Sequence, residues 1–139
     1  MYISQISVFL ENEAGSLLEV TGILNDAGVD LRALSIADTK DYGILRIIVS
    51  NTRIACEALK AHGKAYTVTP VLAVEMDDRP GAFNEMLSVL AKEGMSIEYA
   101  YAFLSPVSGM AEVVLRVEDG DKAGKCLEAA GYVLIGGER

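Results

Sequence analysis

The chain has 139 residues, 51% of them hydrophobic, and carries 20 acidic against 12 basic residues for a net charge of −8. This composition is typical of a folded globular protein and excludes a largely disordered chain. No apolar run reaches the ~18 residues that a membrane span needs. Because the Lys and Arg residues are few and scattered, we expect neither nucleic acid nor an anionic membrane as a partner.

The first half of the chain predicts six elements in the order β-α-β-β-α-β. Apolar residues alternate in the first strand and recur at helical spacing after Gly15, and Gly28 and Gly63 end the two helices. Thr52 is the predicted N-cap of the second helix. The predicted strands are 3–10, 31–37, 44–49 and 66–69, and the helices run from the Gly15 turn to Gly28 and over 52–62.

The second half predicts the same order of elements. Its strands are 71–76, 96–104, 110–117 and 132–135, and its helices are 82–92 and 121–130. A β-α-β-β-α-β order is that of the ferredoxin-like fold, which places both helices on one face of an antiparallel sheet.

Landmark residues show that the two halves are an internal repeat. Gly15 and Gly81 are 66 positions apart (81 − 15), and the same offset relates Gly28 to Gly94 and Gly43 to Gly109. The stops of the second helices, at 63 and 131, are 68 apart (131 − 63), which we attribute to a two-residue insertion in the turn at 118–120. The repeat predicts two domains, 1–69 and 70–139. Since no Gly/Ser linker separates them, we expect a rigid pair.

The glycine loop after each first strand is the candidate binding site. Glycine allows a tight turn before the helix, whose first amides then lack intrahelical partners and attract a carboxylate. Asn12 and Asp78 stand three residues before the glycines and offer side-chain oxygens to an ammonium group. Together these groups describe a site for a free α-amino acid. The alternative is that Asn12 and Asp78 only order the turn.

These residues carry a family resemblance. The segment 77–83, Asp-Asp-Arg-Pro-Gly-Ala-Phe, followed by Leu-Ala-Lys-Glu-Gly-Met-Ser-Ile at 90–97, resembles the ACT domain, and residues 6–15 are similar to the regulatory subunit of acetolactate synthase. The resemblance covers both repeats. It implies an α+β fold of two tandem ferredoxin-like ACT domains, side by side in one eight-stranded antiparallel sheet with the helices on one face.

The resemblance also implies where a ligand binds. Family members hold an amino acid where the glycine loop of one domain meets the start of the second strand of another. The corresponding positions here are Asn12, Ala14, Gly15, Ser16, Leu17, Asp30 and Leu31 in the first repeat, and Asp78, Pro80, Gly81, Ala82, Phe83, Ser96 and Ile97 in the second. If the repeats pair within the chain, the first loop faces Ser96 and Ile97 and the second faces Asp30 and Leu31; pairing between chains is equally conceivable.

Three positions depart from the family pattern. Ala14 replaces the usual Pro and leaves the first loop less rigid, Asp78 replaces the commoner Asn, and Asp30 replaces Asn with a charge that repels a ligand carboxylate. We therefore expect two unequal sites. Leu17, Leu31, Phe83 and Ile97 as pocket walls favour an apolar or aromatic L-amino acid.

The leading hypothesis is an amino-acid-binding sensor that modulates a partner enzyme of amino-acid metabolism. The alternative is a non-catalytic structural subunit without ligand sensing; the acidic charge argues against a third reading, an RNA-binding sheet. His62 has no acid–base partner at a suggestive spacing, and Cys56 and Cys126 suit small buried positions. We expect no enzyme activity, no cofactor and no metal.

The assembly and the compartment are inferred from general features. Open sheet edges usually need covering, so we expect a homodimer. Residues 1–5 contain no basic region before an apolar stretch, and the cysteines form no Cys-x-x-Cys pair. A cytoplasmic location follows as the simplest expectation.

Overall fold

The computed structural model describes residues 1–38 and 41–136, except for the side chain of Leu104. Within them the chain forms seven strands and four helices. In chain order these are β1 (Tyr2–Glu11), α1 (Ser16–Asp26), β2 (Leu31–Asp38), β3 (Tyr42–Val49), α2 (Thr52–Ala61), β4 (Tyr66–Asp77), α3 (Ala82–Lys92), β5 (Ile97–Leu104), β6 (Met110–Val117), α4 (Gly120–Ala129) and β7 (Val133–Leu134).

The chain divides into two compact units. The first unit is Ser4–Thr69, and the second runs from Pro70 onward and includes Met1–Ile3. The residues 137–139 of the second predicted domain lie outside the described residues.

In the first unit, β3 pairs antiparallel with β1 on one side and β2 on the other. The third strand, β3, is therefore central in this unit. Alternate residues of β1 and β3 face the helices and form one buried core with residues of α1 and α2. Leu24 and Leu59, one from each helix, are fully buried in that core. Both helices thus cover one face of the strands, as in a ferredoxin-like unit.

The second unit has the same arrangement. Here β6 lies between β5 and β4, and β7 pairs with β4 on its other side. Met86, Leu90 and Leu127 pack from α3 and α4 onto the strands and are at most 1% exposed. This α+β architecture agrees with the fold predicted from the sequence.

The predicted count of eight strands is wrong for the described residues. The segments 66–69 and 71–76 were expected as separate strands, but they belong to the single strand β4. Pro70, which stands between the two predicted segments, lies inside this strand. The fixed φ of proline is compatible with extended backbone, and only the missing N–H excludes it from a position that must donate to a neighbour.

The predicted place of the two-residue insertion is also wrong. In the first unit Ile6 lies opposite Ile47, and in the second Leu72 lies opposite Leu115. The offset is therefore 66 for the first strands (72 − 6) but already 68 for the third strands (115 − 47). The extra residues lie in the connection between β5 and β6, before the turn at 118–120. Gly43 consequently corresponds to Ala111, not to Gly109.

The caps of α2 and α4 refine the predicted helix starts. Asn51, not Thr52, is the N-cap of α2, and its side chain accepts a hydrogen bond from the Ile54 amide at 3.1 Å. Asp119 does the same for α4 by accepting from the Lys122 amide at 3.1 Å. The two caps are equivalent at the offset of 68, so the repeat extends to the details of helix initiation.

The side chains of the N-terminal residues pack closely against two glycines in α4. A Cβ at Gly124 would lie 2.6 Å from the Met1 sulfur, and one at Gly120 would lie 2.7 Å from the Tyr2 hydroxyl oxygen. Tyr2 also donates a hydrogen bond to the Asp121 carboxylate, which raises the pKa of the tyrosine. A larger residue at either position would therefore require the Met1 or Tyr2 side chain to move.

Candidate functional site

The two glycine loops have the same backbone conformation. Gly15 has φ 86° and ψ −2°, Gly81 has φ 87° and ψ −11°, and each is the N-cap of its helix. No atom lies within 4 Å of a Cβ built on either glycine. The positive φ therefore explains these glycines, because the left-handed region strains any residue with a side chain while the space around them is open.

Each loop uses its first helical amide in its own turn. The Ser16 amide donates to the Glu13 carbonyl at 3.3 Å, and the Ala82 amide donates to the Arg79 carbonyl at 3.2 Å. The following amides, at 17 and 18 and at 83 and 84, belong to first turns, where no intrahelical carbonyl is available. The donors for an anion thus begin one residue later than the sequence suggested.

Asn12 and Asp78 are exposed, as a residue that meets a ligand must be before binding. In the described part of the chain neither side chain makes a hydrogen bond or ion pair, although the Asp78 backbone amide donates to the Gly109 carbonyl at 2.9 Å. Their side-chain oxygens are therefore available to an ammonium group, and neither orders its own turn by a side-chain hydrogen bond.

Arg79 fastens the second loop to its own helix. Its guanidinium contacts the Asp77 carboxylate at 3.3 Å and the Glu85 carboxylate at 2.7 Å. The hydrogen bonds with Arg79 hold the pKa of Glu85 below its ordinary value, and those with Glu85 raise the pKa of Arg79. Together with the neighbouring Pro80, this bridge restrains the loop between β4 and α3.

The first loop has no counterpart of this bridge among the described residues. Its residue at the position of Arg79 is Glu13, and Ala14 replaces the proline. Glu19, the counterpart of Glu85, instead pairs with Lys64 at 2.8 Å, which ties α1 to the turn after α2. The ion pair of Glu19 with Lys64 therefore restrains α1, but it does not restrain the side chains of the first loop.

Asp30, directly before β2, forms an exposed ion pair with a residue of that strand. Arg32 contacts its carboxylate at 3.2 Å, and the Asp30 amide donates to the Ser50 hydroxyl at 2.9 Å. The charge that was expected to repel a ligand carboxylate is thus compensated locally. In the second unit the corresponding strand start carries Ser96, with Glu98 paired to Arg116 at 3.6 Å.

Within one unit the structure does not bring the loop and the strand start together. They lie at opposite ends of α1 in the first unit and of α3 in the second, and each helix has 11 residues. A helix of that length spans about 16 Å. The pairing of a loop with a strand start of another domain stays a prediction of the sequence.

An apolar cavity of about 300 Å³ adjoins the second loop. It lies at the start of α3 and is lined by Met76, Phe83, Ala100, Tyr101, Ala102 and Val113. Of these, sequence analysis singled out only Phe83 as a site residue. The alternation in β5 predicts which residues share a face, but it does not predict that two small side chains there leave room.

Each unit also carries a groove at the end of its first strand. The groove of the first unit, of about 280 Å³, includes Phe9, Tyr42 and Lys64, and the groove of the second, of about 310 Å³, includes their counterparts Glu75, Met110 and Tyr132. Phe9 and Tyr42 pack edge to face with ring centres 5.8 Å apart. The shape of the groove is repeated but its side chains are not.

The remaining candidate residues have structural roles. His62 is exposed at the end of α2 and its Nδ1 lies 2.9 Å from the Ala58 carbonyl oxygen. Cys56 is half-buried against the core, and burial raises the pKa of its thiol. Across 1–38 and 41–136, no cluster of three or more His, Cys, Asp and Glu side chains is arranged to hold a metal. None of the helices in these ranges has the length and apolar character required to cross a membrane.

Comparison with known proteins supports the architecture. The profile of the ACT domain pair matches residues 1–132. A crystal structure of a protein from Bacteroides thetaiotaomicron is 39% identical, with a TM-score of 0.91 over 97% of this chain and 92% of that chain. No curated protein matches the sequence.

Two more distant structures share the fold. The ligand-free regulatory subunit of aspartate kinase from Thermus thermophilus is 17% identical, with a TM-score of 0.66 over 92% of this chain and 91% of that chain. The subunit from Thermus flavus is 17% identical, with a TM-score of 0.63 over 91% of both chains. The match over residues 1–132 indicates no catalytic family and confirms the resemblance seen in the sequence. This chain therefore belongs to the family of ACT domain pairs.

Proposed function

We propose that this protein is a non-catalytic regulator that binds a free L-amino acid at a glycine loop and modulates a partner enzyme of amino-acid metabolism. The observation that carries the proposal is the matched conformation of the two loops, in which Gly15 and Gly81 have φ of 86° and 87° and each precedes a helix N-terminus. Membership of the ACT domain pair family supports the same function.

The chemistry of the loop fits an α-amino acid. The free amides of the first helical turn and the helix dipole favour the ligand carboxylate, the dipole by about 0.3–1 kcal/mol. Asp78 or Asn12 accepts hydrogen bonds from the ammonium group. Because both charged ends of the ligand have a partner, a peptide or an amine without the carboxylate binds less tightly.

The second loop is the stronger of the two sites. Asp78 brings a full negative charge to the ammonium group, where the first loop has Asn12. The Arg79 bridge to Asp77 and Glu85 and the adjacent Pro80 hold the loop in place before the ligand arrives. A preordered loop loses less conformational freedom on binding, which raises affinity.

Regulation requires that the ligand prefer one of two states of the protein. A ligand shifts such an equilibrium only by its difference in affinity for the two states. The relative from Thermus thermophilus is a regulatory subunit of aspartate kinase, which supports a partner enzyme as the recipient of the signal. Affinity purification with and without the ligand identifies that enzyme.

A thermal-shift screen against the twenty L-amino acids tests the proposal. A ligand at about 100 times its dissociation constant adds about 2.7 kcal/mol to the free energy of unfolding. We expect one or a few L-amino acids to raise the melting temperature, their D-enantiomers to have no effect, and Asp78→Ala to lose the shift. Asn12→Ala, the matched change in the first loop, serves as the control. A screen in which no amino acid stabilises the wild-type protein contradicts the proposal.

A second candidate function is that of a structural subunit without ligand sensing. It is favoured by Leu34 and Ile36, which are 53% and 48% exposed on neighbouring positions of one strand face. Exposed aliphatic side chains of this kind suit a protein contact. Constant co-purification with one enzyme, unchanged by any amino acid and lost in Leu34→Ser with Ile36→Ser, distinguishes this function from the first.

A further inference from the structure

The apolar cavity beside the second loop is built from small residues on β5. Ala100 lies opposite Leu115 and Ala102 lies opposite Val113, and both partners belong to the buried core beneath α3 and α4. Residues directly opposite each other in an antiparallel pair share a face. The two alanines therefore lie on the same face of the sheet as that core. Both are exposed there, and their short side chains leave the volume of about 300 Å³.

The first unit has large side chains at the same positions. Leu34 lies opposite Ile47 and Ile36 lies opposite Leu45, in the register that Ala100 and Ala102 have in the second unit. The other lining positions stay apolar, since Leu10 corresponds to Met76 and Leu17 to Phe83. Leu34 and Ile36 thus place branched side chains where the second unit leaves room.

The chemistry of the lining selects its occupant. Met76, Phe83 and Val113 offer hydrocarbon, thioether and ring surface, and none of the described residues that line the cavity is charged. Apolar walls give a charged group no hydrogen-bond partner, so the open cavity favours apolar side chains over charged ones. Its volume is at the small end of the roughly 300–1,000 Å³ of ligand sites, which suits a single side chain rather than a larger ligand.

The cavity and the amides of the loop lie at the same end of α3. Phe83, the second residue of α3, lines the cavity, and it follows Gly81 by two positions. An amino acid whose carboxylate lies on the first amides of α3 thus has an apolar cavity within reach of its side chain.

We infer that this cavity receives the side chain of the bound amino acid, that Ala100 and Ala102 limit its size, and that the protein is therefore selective for uncharged apolar L-amino acids. The inference rests on the proposed function of the glycine loop. It assigns specificity to two residues on a strand rather than to the loop itself. It also restricts selective binding to the second unit, because Leu34 and Ile36 occupy the equivalent space in the first.

Titration calorimetry with filled-cavity variants tests the inference. The probes are L-leucine, L-methionine and L-phenylalanine, with L-lysine and L-aspartate as charged comparisons. Ala102→Ile copies the residue of the first unit into the cavity, and Ile36→Leu changes the equivalent position in the first unit without filling a cavity. Ala102 is exposed and isoleucine suits a strand, so the variant folds. Circular dichroism checks this.

We expect at least one apolar probe to bind the wild-type protein and the charged probes to bind more weakly. Ala102→Ile weakens the binding of the apolar probe by about tenfold or more, because one or a few added methyl groups crowd an apolar pocket. Ile36→Leu leaves its affinity unchanged.

Four other outcomes overturn the inference. Equal affinity of the wild type and Ala102→Ile for an apolar probe leaves the glycine loop as the site but removes the cavity from it. Preference for a charged probe does the same. Absence of binding by all five probes, together with a flat thermal-shift screen, overturns the proposed function as well. If Ala102→Ile changes the mass of the assembly in light scattering but not the affinity for any probe, the cavity belongs to an interface between copies of the chain.

Discussion

Gly15 and Gly81 begin their helices with the same left-handed backbone, but the side chains around them are arranged differently. In the second unit Arg79 joins Asp77 to Glu85 across the loop, and an open apolar cavity lies beside it. In the first unit Glu19 turns away to Lys64, and Leu34 and Ile36 replace the two alanines of the cavity. The repeat has kept the same loop backbone in both units, while the bridge that restrains the loop and the alanines that we propose select a ligand are present in one.

Truncation of the core is expected to affect both units strongly and equally. Leu59 and Leu127 are equivalent residues of α2 and α4, and both are 0% exposed. Leu→Ala at either position removes buried surface and leaves a cavity, which costs about 2–5 kcal/mol in the free energy of unfolding. Urea denaturation of the two variants measures the costs. If the costs of the two variants differ by more than the width of this expected range, the two cores are not equivalent.

Replacement of the loop glycines is expected to cost less, and again equally. Gly15→Ala and Gly81→Ala force a side chain into the left-handed region, at about 1–2 kcal/mol each. No atom lies within 4 Å of the added Cβ, so crowding contributes nothing. Gly22→Ala is the control, since Gly22 lies within α1 without a positive φ and alanine there stabilises a helix by up to about 1 kcal/mol. Loop variants as stable as the wild type would show that the loops do not need glycine.

Removal of the helix caps provides a smaller test of the equivalence. Asn51→Ala and Asp119→Ala each delete one hydrogen bond to a first-turn amide. We expect a loss of about 1 kcal/mol for each in thermal or urea unfolding. Thr52→Ala, at the residue that the sequence suggested as the cap, is expected to cost less than Asn51→Ala; the reverse order would restore Thr52 as the cap.

The Arg79 bridge is expected to have the smallest effect on stability and a clear effect on titration. Because the folded-state pKa of Glu85 lies below its ordinary value of 4.5, the bridge stabilises the protein above that pH, and this is lost as the pH falls through the folded-state pKa. Arg79→Ala is expected to raise the pKa of Glu85 toward 4.5. Carboxyl ¹³C chemical shifts followed from pH 7 to 2 measure it. An unchanged Glu85 titration in the variant would mean that no bridge exists in solution.

The sequence predicted the order and type of the elements because their causes are local. Alternation in β1, helical spacing after Gly15 and the glycine stops are properties of neighbouring residues. The range of α3, Ala82–Lys92, is as predicted, since Gly81 begins it and Gly94 follows it closely. The resemblance to the ACT domain was also recognisable from the sequence, because its motif combines such local signals over about twenty positions.

The errors arose where pairing between distant residues decides the structure. The place of the insertion depends on the register of Leu72 opposite Leu115, which matching glycines along the chain cannot reveal. The extension of β4 through Pro70 depends on whether a neighbour requires the missing N–H. Gln5 and Glu112, 0% and 1% exposed, are polar residues on strands that alternation alone predicts to face solvent.

The candidate site was predictable only in part. The motif nominated the loop residues Asp78, Pro80 and Gly81, since proline and glycine have strong local preferences, and their role in binding stays a prediction. It did not identify Ala100 and Ala102, because a small side chain has functional meaning only when its neighbours in space leave a cavity beside it. The Arg79 bridge was missed for a related reason, since Glu85 lies six residues away and is brought close by the turn and the helix.

The most direct test of the account is a set of ¹H–¹⁵N correlation spectra of the protein titrated with each of the twenty L-amino acids. We predict that at least one apolar amino acid shifts the amide resonances of Gly81, Phe83 and Ala102 in a saturable way, with smaller changes at the equivalent Gly15, Leu17 and Ile36. No shift at these residues with any amino acid, or saturable shifts confined to the groove that contains Phe9 and Tyr42, would contradict the assignment of the ligand site to the second glycine loop.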